Sequence, residues 1–264
     1  MGFVQWKKTR AEKKAQKEQV TALCLGGGGA RGFAHIGAIK AFEEMGLHFD
    51  MVVGTSVGSL VGALYAAGVS SQKMLEYGEV FSLRDIHNGV LLTPNDPAKI
   101  ANVITNILGD TKIEELRTRF AAVAVDLVSA KQVVLDHGRV STAVSASCAV
   151  PILFRPVDYN GMHLVDGGLL NNIPADVCRM LGATRVITVD VNPTRGSGTS
   201  GKGIFDMLKG TMGIVMANAS VEGLRHSDVV IAPDTGAYSS ARKRGYEEMV
   251  ELGYTAAKAT LQRG

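Results

Sequence analysis

Three cysteines, seven prolines and one tryptophan among 264 residues leave few covalent or rigid landmarks. Cys24, Cys148 and Cys178 lie far apart, each inside an apolar run, so there is no CxxC zinc or redox pair and no disulfide-built scaffold. Neither an HExxH helix nor an EF-hand loop is present, so the sequence offers no metal-site pattern and no cofactor is expected. The chain start lacks the apolar core of a secretory signal, which leads us to expect a cytoplasmic protein with reduced thiols. A strong charge bias is missing too: 28 Lys and Arg stand against 25 Asp and Glu, for a net charge of +3. With 46% hydrophobic and 20% charged residues, the composition is that of an ordinary globule and excludes collagen-like or disordered chains. No nucleic-acid partner is expected.

What charge there is sits unevenly. Lys7, Lys8, Arg10, Lys13, Lys14 and Lys17, against Glu12 and Glu18, make the first 20 residues basic and leave the rest close to neutral. We divide the chain into a basic arm, residues 1–19, and one globular domain, residues 20–264. The arm reads either as a solvated, partly helical tail or as a segment lying on an anionic membrane, with Phe3, Val4 and Trp6 in the interface. The residue Trp6 excludes an N-myristoylation signal. Met51 to Val69 carries no charge over 19 residues, the length of a membrane span. Four glycines and a turn after Val53 break it, so we read a short buried strand followed by a buried helix.

Strand, helix, strand within the first third of the domain is a βαβ unit: Val20 to Leu25, Arg31 to Met45, and Met51 to Val53, followed by a helix from Val57 to Ala67. Such a unit implies a parallel sheet with helices on both faces. Further strands are expected at Ala121 to Val128, Gln132 to Leu135, Arg185 to Val191 and Val229 to Ala232. Helices are expected at Pro97 to Leu108, Arg139 to Ala149, Pro174 to Leu181, Phe205 to Leu224 and Arg242 to Leu261. The pair Asn160-Gly161 signals a hairpin turn that brings out His163-Leu164-Val165 as a strand ending at Asp166. Gly196 to Gly201 reads as a loop. With Lys202 it nearly forms a phosphate loop, but Gly203 stands where Mg²⁺ binding needs Ser or Thr.

Three constellations carry chemistry. Gly54-Thr55-Ser56-Val57-Gly58 is a GxSxG elbow, in which a tight strand-to-helix turn exposes Ser56 and Gly54 and Gly58 let backbones pass closely. Gly27-Gly28-Gly29-Ala30-Arg31-Gly32 joins a strand to a helix, and its backbone N–H groups form an anion cup. That cup suits a dinucleotide pyrophosphate or an oxyanion. Asp50 is poorly placed for a ribose because it precedes the second strand, so an oxyanion hole fits better. Asp166-Gly167-Gly168 closes a strand and is expected at the same carboxyl edge, where Asp166 either takes the serine proton or merely closes a turn before Asn171-Asn172-Ile173-Pro174. A histidine triad would need His226, which lies before the last strand rather than after it. His35 reads as a packed helix residue.

These motifs, with Ser147-Cys148-Ala149-Val150-Pro151, resemble the patatin-like phospholipases, within them the compact bacterial branch related to the neuropathy target esterase catalytic region. The resemblance runs from Val20 to about Leu261. It implies a patatin-like α/β three-layer sandwich with a mostly parallel central sheet, and a Ser-Asp dyad hydrolase domain over residues 20–264. It further implies Ser56 as nucleophile, Asp166 as general base, Gly27, Gly28 and Gly29 as oxyanion donors, and a structural or phosphate-contacting Arg31. Val150 to Phe154 and Ile204 to Met216 line an acyl channel or form a lid, or else are core and surface helix. We expect a phospholipase A or lysophospholipase, with a lipid or other acyl ester as substrate, peripheral at the inner membrane face if the arm binds there. The alternative is a catalytically weak regulator whose partner docks on residues 196–216.

Overall fold

The computed structural model describes residues 19–78, 94–192, 203–238 and 245–262. The basic arm up to residue 18, the 196–201 loop and residues 242–244 of the last expected helix lie outside the described residues.

Short apolar segments without polar alternation have to be buried on both faces, and they build the centre of the molecule. Strands β1 (Thr21–Leu25), β2 (Met51–Thr55), β3 (Arg119–Asp126), β4 (Lys131–Leu135), β5 (Val157–Tyr159), β6 (Met162–Asp166), β7 (Arg185–Val189) and β8 (Val229–Ile231) form one sheet in the order β5-β6-β3-β2-β1-β7-β8, with β4 also on β3. The run from β3 through β2, β1 and β7 to β8 is parallel, while β4, β5 and β6 pair antiparallel.

Successive residues serve opposite faces. Leu23, Leu25, Val52, Phe120, Ala122 and Ala124 enter one core, which holds helices α1 (Phe33–Glu44), α2 (Val57–Ala66), α4 (Ala98–Leu108), α5 (Val140–Ser147) and α9 (Tyr246–Leu261). Their neighbours Ala22, Cys24, Met51, Val53, Ala121 and Val123 enter a second core, against α6 (Ala175–Met180). This is the expected three-layer α/β sandwich. Helices α1 and α9 touch backbone to backbone, since a Cβ on Gly37 would lie 1.9 Å from the Val250 carbonyl oxygen and one on Gly253 1.9 Å from that of Ala34.

The register on β3 sets up the site. Ala122 and Val123 pair with both β2 and β4, and Ala124 to Asp126 pair with both β4 and β6. Strand β4 therefore fills one edge of β3, while β2 and β6 share the other, end to end. Thr55 stands opposite Val123 and Asp166 opposite the next residue, Ala124. The hairpin that returns the chain is the Asn160-Gly161 turn, with φ of +49° and +79°.

Three local readings need correction. The glycine loop first makes a 3₁₀ turn, Gly29–Gly32, so α1 starts at Phe33. A short helix, α3 (Ser71–Glu76), was not expected; its N-cap Ser70 Oγ accepts from Lys73 N–H. The helix expected over 205–224 is two, α7 (Ile204–Asn218) and α8 (Val221–Arg225), because the Ala219 carbonyl accepts the Asn172 N–H (3.1 Å) and Gly223 abuts the Ile173 carbonyl.

Candidate active site

Ser56 is the single residue between β2 and α2, with φ 53° and ψ −130°. A positive φ is strained for a residue with a side chain, so the surrounding bonds have to impose it. The Ser56 carbonyl accepts from Ser59 N–H (2.8 Å), Ser59 Oγ (2.7 Å) and Leu60 N–H (3.3 Å). Its own N–H donates to Ser147 Oγ (2.9 Å), whose hydroxyl donates to the Val123 carbonyl (2.6 Å). Glycine is required on either side: a Cβ on Gly54 would lie 2.4 Å from the Gly58 carbonyl carbon, and one on Gly58 2.1 Å from the Leu25 oxygen.

Asp166 ends β6 and is fully buried. Its N–H donates to the Ala149 carbonyl (3.0 Å), so one segment, Ser147 to Ala149, braces both Ser56 and Asp166. Oδ1 accepts the Gly168 N–H at 2.8 Å, whereas Oδ2 is buried without a well-formed hydrogen bond among the described residues. Burial raises the carboxyl pKa to about 6, against the opposing pull of the Ser56 hydroxyl and the Gly168 N–H. The Ser56 hydroxyl is thus near enough to be felt by the carboxylate without a hydrogen bond of ordinary geometry. Asp166 comes by a route other than the one expected. Strand β6 is antiparallel to β3, so its end meets Ser56 head-on instead of rising beside it at a common carboxyl edge. Gly167 packs against the Val123 carbonyl, where a Cβ would lie 2.2 Å from the oxygen.

The glycine loop closes the third side. Gly26 N–H donates to Val189 O (3.2 Å) and Gly27 N–H to Asn172 O (3.0 Å). The Gly27 amide, expected as an oxyanion donor, is therefore already engaged. Among the described residues the Gly28 and Gly29 N–H groups have no partner, and both residues are partly exposed. Gly27 contributes space instead: a Cβ there would sit 2.4 Å from Asn172 Oδ1 and 3.3 Å from Ser56 Cβ. At Gly32 a Cβ would meet Val57 Cγ2 at 2.2 Å, so the start of α1 lies on the start of α2.

Arg31 is half-buried, and desolvation lowers its pKa. Its Nε donates to Tyr238 O (3.0 Å) and a terminal nitrogen to Asn192 Oδ1 (2.7 Å), while Asn192 Nδ2 donates to the Gly27 carbonyl. In these contacts the guanidinium is a strut for the loop. The alternatives raised by the sequence fall elsewhere. Asp50 bonds the Thr21 N–H (2.8 Å) at the amino end of β1 and β2, and His226 pairs with Glu222 on the surface. His35 is buried with Nε2 2.8 Å from the Gly26 carbonyl, and burial lowers its pKa to about 4. Cys148 lies 3.9 Å from Ser59 Oγ, and burial and the Asp166 charge push its thiol far up, so it is no competing nucleophile.

Strain at a serine, a buried carboxylate of raised pKa and two unpaired amides suit acyl transfer through a covalent serine. Reasoning from sequence missed Ser147, Asn192 and Asn172 as supports. Ser147 entered only as part of a resemblance, and Asn172 read as a turn residue.

The patatin-like phospholipase family model matches residues 23–179. An uncharacterized NTE family protein of Mycobacterium tuberculosis is 35% identical over 178 residues, 65% of this chain and 49% of that protein. The human patatin-like phospholipase domain-containing protein 6 is 39% identical over 184 residues, 64% of this chain but 13% of that protein. This chain thus spans at most about half the length of these relatives. Among solved structures, VipD from Legionella pneumophila superposes with a TM-score of 0.62 at 14% identity, over 93% of this chain and 67% of that one, a likeness of fold.

Proposed function

This chain belongs to the patatin-like phospholipase family, and on that premise we propose that it hydrolyses lipid acyl esters, as a phospholipase A or lysophospholipase, through a Ser56–Asp166 dyad. The observation that carries the reading is the strained Ser56 beside a buried carboxylate whose pKa stands near 6. Ionised at neutral pH, Asp166 takes the Ser56 proton as Oγ attacks the ester carbonyl carbon. The negative oxygen forms beside the Gly28 and Gly29 N–H groups, where each fixed donor is worth about 3 kcal/mol. Collapse breaks the ester C–O bond, and the proton on Asp166 passes to the departing alcohol. Asp166 then removes a proton from water, the hydroxide adds to the acyl carbon, and the acid leaves as Ser56 regains its proton.

The lipid substrate is supported by α7. Met216 Cε comes within 3.2 Å of the position of a Cβ on Gly168, bringing an apolar helix over the acid motif, while Met207 and Ile214 of the same helix are about two-thirds exposed. Among the described residues no helix is long and apolar enough to cross a membrane.

The test is intact-protein mass spectrometry after an alkyl fluorophosphonate, with Ser56→Ala alongside and peptide mapping. One adduct at Ser56, absent in the variant, is the expected result. Folded protein that takes no label and turns over no ester overturns the assignment and favours the regulatory reading.

A further inference from the structure

Of the adjacent pair Asn171 and Asn172, only the second faces the site. Asn171 Nδ2 points away, donating to Gln132 Oε1 (2.9 Å) and Asp176 Oδ1 (2.7 Å). Asn172 is 2% exposed, and its Nδ2 donates to Ser220 Oγ at 3.1 Å. The Ser220 hydroxyl hydrogen goes to the Met216 carbonyl (2.9 Å), so Ser220 has only a lone pair to offer Asn172. That fixes which end of the carboxamide is which: Nδ2 is latched outward and Oδ1 turns inward.

Inward is where the reacting groups stand. From the point where a Cβ on Gly27 would lie, Asn172 Oδ1 is 2.4 Å and Ser56 Cβ 3.3 Å away; from the corresponding point on Gly168, Asn172 Oδ1 is 3.1 Å and Asp166 Oδ1 3.0 Å away. The oxygen is a common neighbour of Ser56 and Asp166. No donor among the described residues reaches it, whereas the other end of the same carboxamide is bonded to Ser220 Oγ. An almost wholly buried side chain that holds an acceptor open toward a reacting centre requires a donor from outside the protein. The oxyanion is not that donor, since an acceptor repels it. A water molecule is, because it has two hydrogens and the base removes only one.

We propose that Asn172 Oδ1 holds the water that hydrolyses the acyl-enzyme, an inference that rests on the Ser56–Asp166 reading. One water hydrogen goes to Asp166 while the other stays bonded to Asn172; the water oxygen adds to the acyl carbon, the acyl–Oγ bond breaks, and the proton on Asp166 returns to Ser56. Asn172 thus serves deacylation and leaves acylation, which uses no water, unaffected.

Two rates separate these steps: labelling of Ser56 by a fluorophosphonate, which needs no water, and steady-state hydrolysis of p-nitrophenyl butyrate, which does. Asn172→Ala keeps the backbone bonds to Gly27 and Ala219, and Ser220→Ala releases the carboxamide without removing it. In both variants labelling is expected to stay near the wild-type rate, while turnover falls about tenfold for Asn172→Ala and by less for Ser220→Ala, with butyryl-Ser56 accumulating in the intact mass. Labelling and turnover that fall by one factor, or turnover that does not change, overturn the role of Asn172. Wild-type protein that takes no label overturns the dyad reading itself, and the two failures are thereby distinguished.

Discussion

Asp166 is held at a thermodynamic disadvantage. Its carboxyl pKa rises from 3.8 to about 6 on folding, so between those values the folded protein holds a proton that the unfolded chain has released, and stability falls as pH rises. By neutral pH the ionised group costs about 3 kcal/mol. Asp166→Asn should therefore abolish ester turnover and also raise the urea midpoint at pH 7, with the gain over wild type shrinking toward nothing near pH 4. Equal midpoints at pH 7 would mean the buried charge is compensated. His35 runs the other way. Its pKa falls from 6.5 to about 4, so stability is full above 6.5 and is lost as pH drops through that interval. Turnover should follow the ionised form of Asp166, rising through an apparent pKa near 6 in a pH–kcat profile and levelling above it.

Between elements, the fold depends on contacts with no room for a methyl group. Gly253→Ala would push a Cβ onto the Ala34 carbonyl at the α1–α9 contact, and we expect a loss of about 1–3 kcal/mol in chemical unfolding, with the fluorophosphonate labelling rate of the folded fraction unchanged. How much of this level was readable from sequence depends on the kind of signal. Strands β1 and β2 and helix α2 were legible because an apolar run ending in a glycine turn has few other interpretations. The Asn160-Gly161 turn was legible because both residues need positive φ, which that pair tolerates best. The direction and partner of β6 were not, since alternation marks a strand without saying which edge it joins. The break between α7 and α8 was hidden for a related reason: it is imposed by the Asn172 N–H reaching Ala219 across the fold, and local helical periodicity carries no trace of that bond. The inward carboxamide of Asn172 escaped for the same cause.

Across the whole molecule, all three cysteines are buried and free. Burial raises the Cys24 thiol well above its ordinary range, with Cys178 beside it adding to the shift. We expect native protein at neutral pH to resist a soluble disulfide reagent and all three thiols to react at the rate of global opening, so that urea accelerates the reaction and unfolding kinetics and thiol release coincide; fast native reaction of one thiol would mark a local opening. The shared edge of β3 has a different consequence. Ser56 and Asp166 arrive on separate strands, but both are placed by counting residues along one ladder of backbone hydrogen bonds, Val123 for one and Ala124 for the other. Strand β3 works as a ruler, and a ruler is indifferent to its paint: its side chains can drift as long as they still fill the two cores, whereas a single residue inserted between those two marks would move Ser56 and Asp166 apart by a whole graduation.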